Sequence, residues 1–150
     1  MRQDPALQPQ NAPHILLVDD NRQGLIARKS LLQELGYRIF TAMNGEEALE
    51  LFSGQKFDVI VTDFKMPMMD GVELIRRIRG SQPNARIILL SGFVEPLGLC
   101  EETTGADVVI PKSAGEVAHL TRAVKRLLTR TPARKPPASI ARSANAKAKA

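Results

Sequence analysis

From residue 14 to residue 129 the chain alternates between two patterns: short apolar runs, and stretches whose apolar residues recur every three or four positions. His14–Val18 (HILLV) is apolar almost throughout, the pattern of a strand covered on both faces. It ends at Asp19-Asp20. Asn21 is placed to cap a helix along which Leu25, Leu32 and Leu35 repeat at helical spacing, and Gly36 stops it. Residues 37–41 (YRIFT) are rich in β-formers and predict the second strand. Asn44-Gly45 opens a short helix with Ala48, Leu49 and Phe52 on its apolar side, ending near Gly54. Residues 57–62 predict the third strand. Asp70-Gly71 opens a helix with Val72, Ile75 and Ile78 facing inward and Arg76, Arg77 and Arg79 facing outward. Residues 85–90 (ARIILL) predict the fourth strand and 107–110 the fifth. Between them, over 93–105, Pro96 and Gly98 leave room only for something short or irregular. Val117, Leu120, Val124 and Leu127 mark a last amphipathic helix from about residue 113 to 129.

Five strands alternating with four or five helices predict an α/β fold, a doubly wound open parallel sheet with helices on both faces. In such sheets ligands gather outside the carboxyl ends of the strands. Asp19 and Asp20 follow the first strand, Asp63 the third, Ser91 the fourth and Lys112 the fifth. Residues distant in sequence therefore meet at one edge: three acids, a hydroxyl and a lysine. Clustered carboxylates raise one another's pKa unless a cation compensates. Carboxylate oxygens with room for water suit Mg²⁺, whereas no Cys or His cluster offers a zinc site. With a metal present, one aspartate can stay ionised and attack phosphorus, giving an aspartyl phosphate. Asp63 is the best-placed nucleophile, alone on the central strand between the acid pair and Ser91. Lys112 would meet the phosphoryl oxygens as a point charge and Ser91 would donate a hydrogen bond to one of them. That is charge stabilisation of phosphoryl transfer.

Charge distinguishes the ends from the middle. Residues 131–150 hold Arg134, Lys135, Arg142, Lys147 and Lys149 and no acid, while residues 1–13 hold one charge of each sign. The net charge of +5 thus sits in the tail, and residues 14–130 are balanced. Residues 1–12 read as a flexible polar lead, 13–130 as the folded domain, and 131–150 as a disordered Ala/Pro/Lys tail beginning at Thr131-Pro132. A basic arm attracts nucleic acid or an acidic partner, but this one has no aromatic residue to stack on bases. The apolar runs are too short to cross a bilayer, and residues 1–13 lack the apolar centre of a secretion signal. The single cysteine, Cys100, has no partner for an internal disulfide, which fits the cytoplasm, and is expected to be a thiol without chemistry.

The motifs occur as a set: an acid pair after strand one, D-x-x-M-P-x-M-D-G from Asp63 to Gly71, Ser91-Gly92, and Lys112. This set resembles the receiver domain of two-component response regulators, across about residues 13–129. The resemblance implies a flavodoxin-like sheet of order 2-1-3-4-5 and a phosphoprotein of phosphorelay signal transduction. It implies that Asp63 accepts phosphate from a phosphohistidine on a sensor histidine kinase or phosphotransfer protein. It implies Mg²⁺ held by Asp19, Asp20, Asp63 and the backbone carbonyl of Lys65. Ser91 and Lys112 would then read the phosphoryl group and move the surface made by the fourth helix, fifth strand and fifth helix. The new dianion shifts a two-state loop equilibrium through its different contacts in the two states. Lys65 sits two residues after the acceptor, where the family tunes water's access, so it is expected to set the dephosphorylation rate. Three positions depart from the family pattern. Val109 stands where an aromatic switch residue is common, Pro111 precedes Lys112 where the family has a proline after the lysine, and Pro96 and Gly98 interrupt the fourth helical region. These departures predict intact phosphorylation chemistry with an altered output surface.

Taken singly, each residue has a plainer reading. Asp19-Asp20 and Asp70 suit turns and caps, Asp58 suits strand entry, and Pro67 shapes a loop. Met66, Met68 and Met69 suit packing rather than metal binding. His14 and His119 are expected to be structural or exposed rather than phosphate donors. Two other functions stay open. A Mg²⁺-dependent phosphohydrolase using an aspartyl phosphate would need an acid two residues after the nucleophile, where Lys65 stands. A nucleic-acid-associated regulator would have to act through the tail, since no helix-turn-helix follows residue 130. The expectation is a stand-alone cytoplasmic receiver, a monomer or weak dimer working by protein contact or phosphate relay, without membrane insertion. It would be no enzyme beyond self-phosphorylation and autodephosphorylation at Asp63.

Overall fold

Each apolar run becomes a strand, and each three-to-four repeat becomes a helix. The elements are β1 (His14–Val18), α1 (Arg22–Glu34), β2 (Arg38–Ala42), α2 (Gly45–Gly54), β3 (Val59–Asp63), α3 (Gly71–Ser81) and β4 (Ile87–Ser91). A short α4 (Glu101–Thr104), β5 (Val108–Pro111) and α5 (Glu116–Thr129) complete the domain. The computed structural model describes residues 11–92, 99–113 and 115–129. The expected tail over 131–150 and the interrupting Pro96 and Gly98 lie outside the described residues, as does the expected lead except for Asn11 and Ala12. Ala12 is buried.

The strands form one parallel sheet in the order β2-β1-β3-β4-β5. Parallel strands need crossovers, and the helices supply them on both faces. Alternation then explains why the strand sequences are apolar throughout. Ile15 and Leu17 of β1, Val59 and Val61 of β3, and Ile88 and Leu90 of β4 pack with Leu25 and Leu32 of α1 and Leu120, Val124 and Leu127 of α5. Their neighbours Leu16, Val18, Ile60, Ile87 and Leu89 face the other way, onto Ala48 of α2 and Leu74, Ile75 and Ile78 of α3. Among the described residues, no helix is long and apolar enough to cross a membrane.

Three helices start from an Asx side chain at the N-cap. Asn21 accepts the Gly24 amide at 3.1 Å, Asn44 the Glu47 amide at 2.8 Å, and Asp70 the Glu73 amide at 2.9 Å. Each cap satisfies an amide that the helix leaves unpaired and contributes about 1 kcal/mol.

The structure corrects several sequence expectations. β2, β3 and β4 begin later than the apolar runs suggest and extend one residue further, so Asp63 and Ser91 are the last residues of their strands. Parallel register sets these ends: Asp63 pairs with Leu90 and Ser91 with Pro111. Arg79 does not face outward. Its guanidinium donates to the carbonyls of Gly105, Pro83 and Ala85 and to Asp107 Oδ2, binding the end of α3 to the approaches to β4 and β5. Met66 and Met69 pack in the core, but Met68 is 96 % exposed with φ 72° at the tip of the β3–α3 loop. Val117, in the first turn of α5, is 55 % exposed. Leu35 is also exposed, as the C-cap of α1.

Candidate functional site

The carboxyl ends of β1, β3, β4 and β5 open into a cleft of about 600 Å³. Asp19, Asp20, Asp63, Lys65, Ser91 and Lys112 all line it, so the topology brings together every site residue singled out from sequence. Asp63 is held by the sheet: the next amide, Phe64 N–H, donates to the Leu90 carbonyl at 2.8 Å, and Gly71 N–H donates to the Phe64 carbonyl at 2.8 Å. Asp19 and Ser91 are buried and Asp20 is exposed at the mouth. The Ser91 carbonyl accepts the Lys112 amide at 2.9 Å, fixing the root of the lysine against β4.

Lys112 Nζ lies 2.6 Å from Asp63 Oδ1 and 4.0 Å from Asp19 Oδ2. Burial pushes the Asp63 carboxyl up from its ordinary range. The neighbouring Asp19 charge pushes the same way, and Lys112 and Arg28 oppose it without cancelling it.

Ligand oxygens of Asp19, Asp20 and Asp63 lie within 4.8 Å of one another. An all-oxygen donor set at an open, water-accessible mouth fits a hard divalent cation such as Mg²⁺, which keeps part of its water shell.

Sequence reasoning missed two participants. Arg28 Nη1 donates to Asp19 Oδ2 at 2.8 Å, and its Nε donates to Glu116 Oε2 at 2.7 Å. Burial works against the guanidinium charge, but these two carboxylates outweigh it and raise its pKa. A signal was present in α1: Arg28 falls in step with Leu25 and Leu32 on the buried stripe. An arginine there calls for a buried acid. Glu116 carried no comparable signal. Asp70 does only its capping work, and Asp58 accepts the His14 amide at 2.8 Å beside the entry to β3. Cys100 precedes α4 with its Sγ 3.5 Å from Thr103 Oγ1, a hydrogen bond that lowers its thiol pKa. It does not line the cleft.

The sequence matches the response regulator receiver domain family over residues 15–125. The chain belongs to that family. Receiver domains act in two-component signalling, where sensor histidine kinases or phosphotransfer proteins phosphorylate an aspartate and Mg²⁺ binds at an aspartate cluster; they are not classical enzymes. One relative is sporulation initiation phosphotransferase F of Bacillus subtilis, 30 % identical over 72 % of this chain and 80 % of that protein. The virulence sensor protein BvgS of Bordetella pertussis is 42 % identical over 49 % of this chain, which spans only 6 % of that protein. Among solved structures, the response regulator TrrA of Thermotoga maritima in complex with Mg²⁺-BeF is 37 % identical at a TM-score of 0.70, covering 77 % of this chain and 99 % of that one. Chemotaxis response regulator CheY4 of Vibrio cholerae is 30 % identical at a TM-score of 0.70, over 79 % and 100 % of the two chains. The five-stranded order seen here is that of this receiver fold.

Proposed function

We propose that this receiver domain accepts a phosphoryl group on Asp63 from a phosphohistidine of a sensor histidine kinase or phosphotransfer protein. The observation that carries the proposal is the position of Asp63: buried at the end of the central strand, clustered with Asp19 and Asp20, and contacted by Lys112 at 2.6 Å. In the transfer, an Asp63 carboxylate oxygen forms the new P–O bond as the donor's P–N bond breaks. The imidazole nitrogen keeps the bonding pair and takes up a proton. Lys112 moves from the carboxylate to an incoming phosphoryl oxygen, and the Ser91 hydroxyl donates to another. Asp19, Asp20, Asp63 and the Lys65 carbonyl would hold Mg²⁺, which supplies charge neutralisation for the incoming phosphoryl group.

Output runs through β5 and its neighbours. Lys112 is tied to Ser91, and the Val109 amide donates to Glu101 Oε2 at 3.1 Å, so β5 is linked to α4. Val109 is half-buried at the position of the family's aromatic switch. The domain therefore signals by shifting the α4–β5–α5 surface without a ring flip, acting in the cytoplasm. With Lys65 in place of a second acid, Asp63 phosphate is an end state or a relay stop rather than an intermediate in phosphoester hydrolysis. Lys65 tunes its lifetime.

The test is intact-mass measurement after incubation with acetyl phosphate and Mg²⁺. Wild type gains one phosphoryl group and Asp63→Asn gains none. Absence of uptake by wild type, or equal uptake by the variant, removes the assignment. Lys65→Asn should change the rate at which the label is lost; an unchanged rate removes the role given to that side chain.

A further inference from the structure

The acid cluster has a second basic neighbour besides Lys112. Arg28 rises from the buried stripe of α1 with its side chain 13 % exposed and divides itself between carboxylates on different elements. Asp19 lies on one side at 2.8 Å, and Glu116, the first residue of α5, on the other at 2.7 Å. Gly24, one turn earlier in α1, makes room for the pair. A Cβ there would stand 3.1 Å from Arg28 Nη1 and 3.2 Å from Asp19 Oδ2, closer than ordinary contact. Glycine inside a helix weakens it relative to alanine, so this gap has a cost in helix stability. The other Asp19 oxygen accepts the Asn21 amide at 2.9 Å, so the protein engages both oxygens of this acid.

We propose that Arg28 is a positioning residue for the acid cluster: it fixes Asp19, lowers the cluster's affinity for a divalent cation, and links metal occupancy to the first turn of α5 through Glu116. This rests on the reading of Asp19, Asp20 and Asp63 as the metal site. A guanidinium and a dication sharing one carboxylate stand roughly 4–6 Å apart, and at that distance their repulsion is on the order of tenfold in affinity even at the dielectric constant of water. Glu116 offsets part of that repulsion. When the metal enters, the balance of attraction on Arg28 shifts from Asp19 toward Glu116, and α5 registers the change at its start.

The experiment titrates the metal-free full chain with Mg²⁺ alone by calorimetry while following the Glu116 amide by NMR. Arg28→Met should tighten Mg²⁺ binding by about tenfold. Arg28→Gln, a charge-removing variant of different shape, should act in the same direction. Arg28→Lys keeps the charge and should stay near wild type. Glu116→Gln leaves Arg28 wholly to Asp19 and should weaken binding several-fold, but should do much less in an Arg28→Met background. The Glu116 amide should shift on Mg²⁺ addition in wild type and much less in Arg28→Met. Folded charge-removing variants that bind Mg²⁺ as wild type does would show that Arg28 merely braces the fold, which overturns the inference alone. Wild type that takes up no Mg²⁺ overturns it together with the metal-site reading.

Discussion

Gly71 and Gly80 lie on the same helix, and alanine at the two positions should have opposite effects. A Cβ on Gly71 would run into the Asp63 carbonyl oxygen, and would stand 2.8 Å from Leu89 Cδ1 and 3.0 Å from Phe64 Cα. None of these neighbours yields easily: two are backbone atoms at the end of β3, and Leu89 is fully buried. Relief requires α3 to lift from the sheet. Overpacking of this kind costs about 1–3 kcal/mol, against a helix-propensity gain of at most ~1 kcal/mol that is smaller still at a first helical residue. The net expectation for Gly71→Ala is a loss of about 1–2 kcal/mol. A methyl added at Gly80 would meet nothing within 4 Å, so Gly80→Ala should gain about 0.5–1 kcal/mol. Urea unfolding of the metal-free protein, followed by far-ultraviolet circular dichroism, measures both. In thermal melts of a domain of this size, the two variants should differ in Tm by roughly 4–10 °C. The displaced atom is the Asp63 carbonyl, so phosphoryl uptake by Gly71→Ala should fall even where the variant is fully folded. A Gly71→Ala protein as stable as wild type would refute the claim that α3 sits against β3 without spare room.

Arg79→Met should destabilise the domain by about 3 kcal/mol, because it breaks a largely buried ion pair with Asp107 and removes three hydrogen bonds to carbonyls; a loss under about 1 kcal/mol in denaturant titration would contradict this. Asn44→Ala should cost about 1 kcal/mol, while the exposed Ser53→Ala on the same helix should change almost nothing in the same assay. Asp63 yields a pH prediction. Burial raises its pKa, so the folded protein holds that proton more tightly than the unfolded chain. The associated stability is complete below the ordinary carboxylate pKa of about 4 and is lost as pH rises through the raised value. Asp63→Asn should therefore gain on wild type in metal-free thermal melts as pH rises from 4 to 7. A gap that narrows over that window would reverse the sign assigned to this carboxyl.

The sheet and the residues at its carboxyl edge were legible because both follow from local signals. Five apolar runs announce strands covered on both faces, and a parallel α/β sheet directs ligands to the strand ends, where Asp19, Asp20, Asp63, Ser91 and Lys112 already stood. Contacts chosen by a distant partner were not legible. Arg76, Arg77 and Arg79 look alike in sequence, and only the arrival of Asp107 at the start of β5 turns the last of them inward. Arg28 and Glu116 meet because α1 and α5 cover the same face of the sheet, a neighbourhood no helical repeat encodes. Met68 was misjudged for the opposite reason: it resembles Met66 and Met69 in chemistry, but a left-handed backbone at the loop tip points it into solvent.

The candidate site is assembled from strands far apart in the chain. Its acids come with β1 and β3, but the lysine that bonds Asp63 arrives on β5, the strand at the sheet's margin and the last in sequence to be added. β5 pairs with β4 alone, and a strand at the edge of a sheet is among the first elements to open locally. A chain still leaving the ribosome, or one whose margin has peeled away, displays the aspartates without the lysine that pairs with Asp63. Under the proposed function, uptake of the label at Asp63 thus certifies a finished sheet.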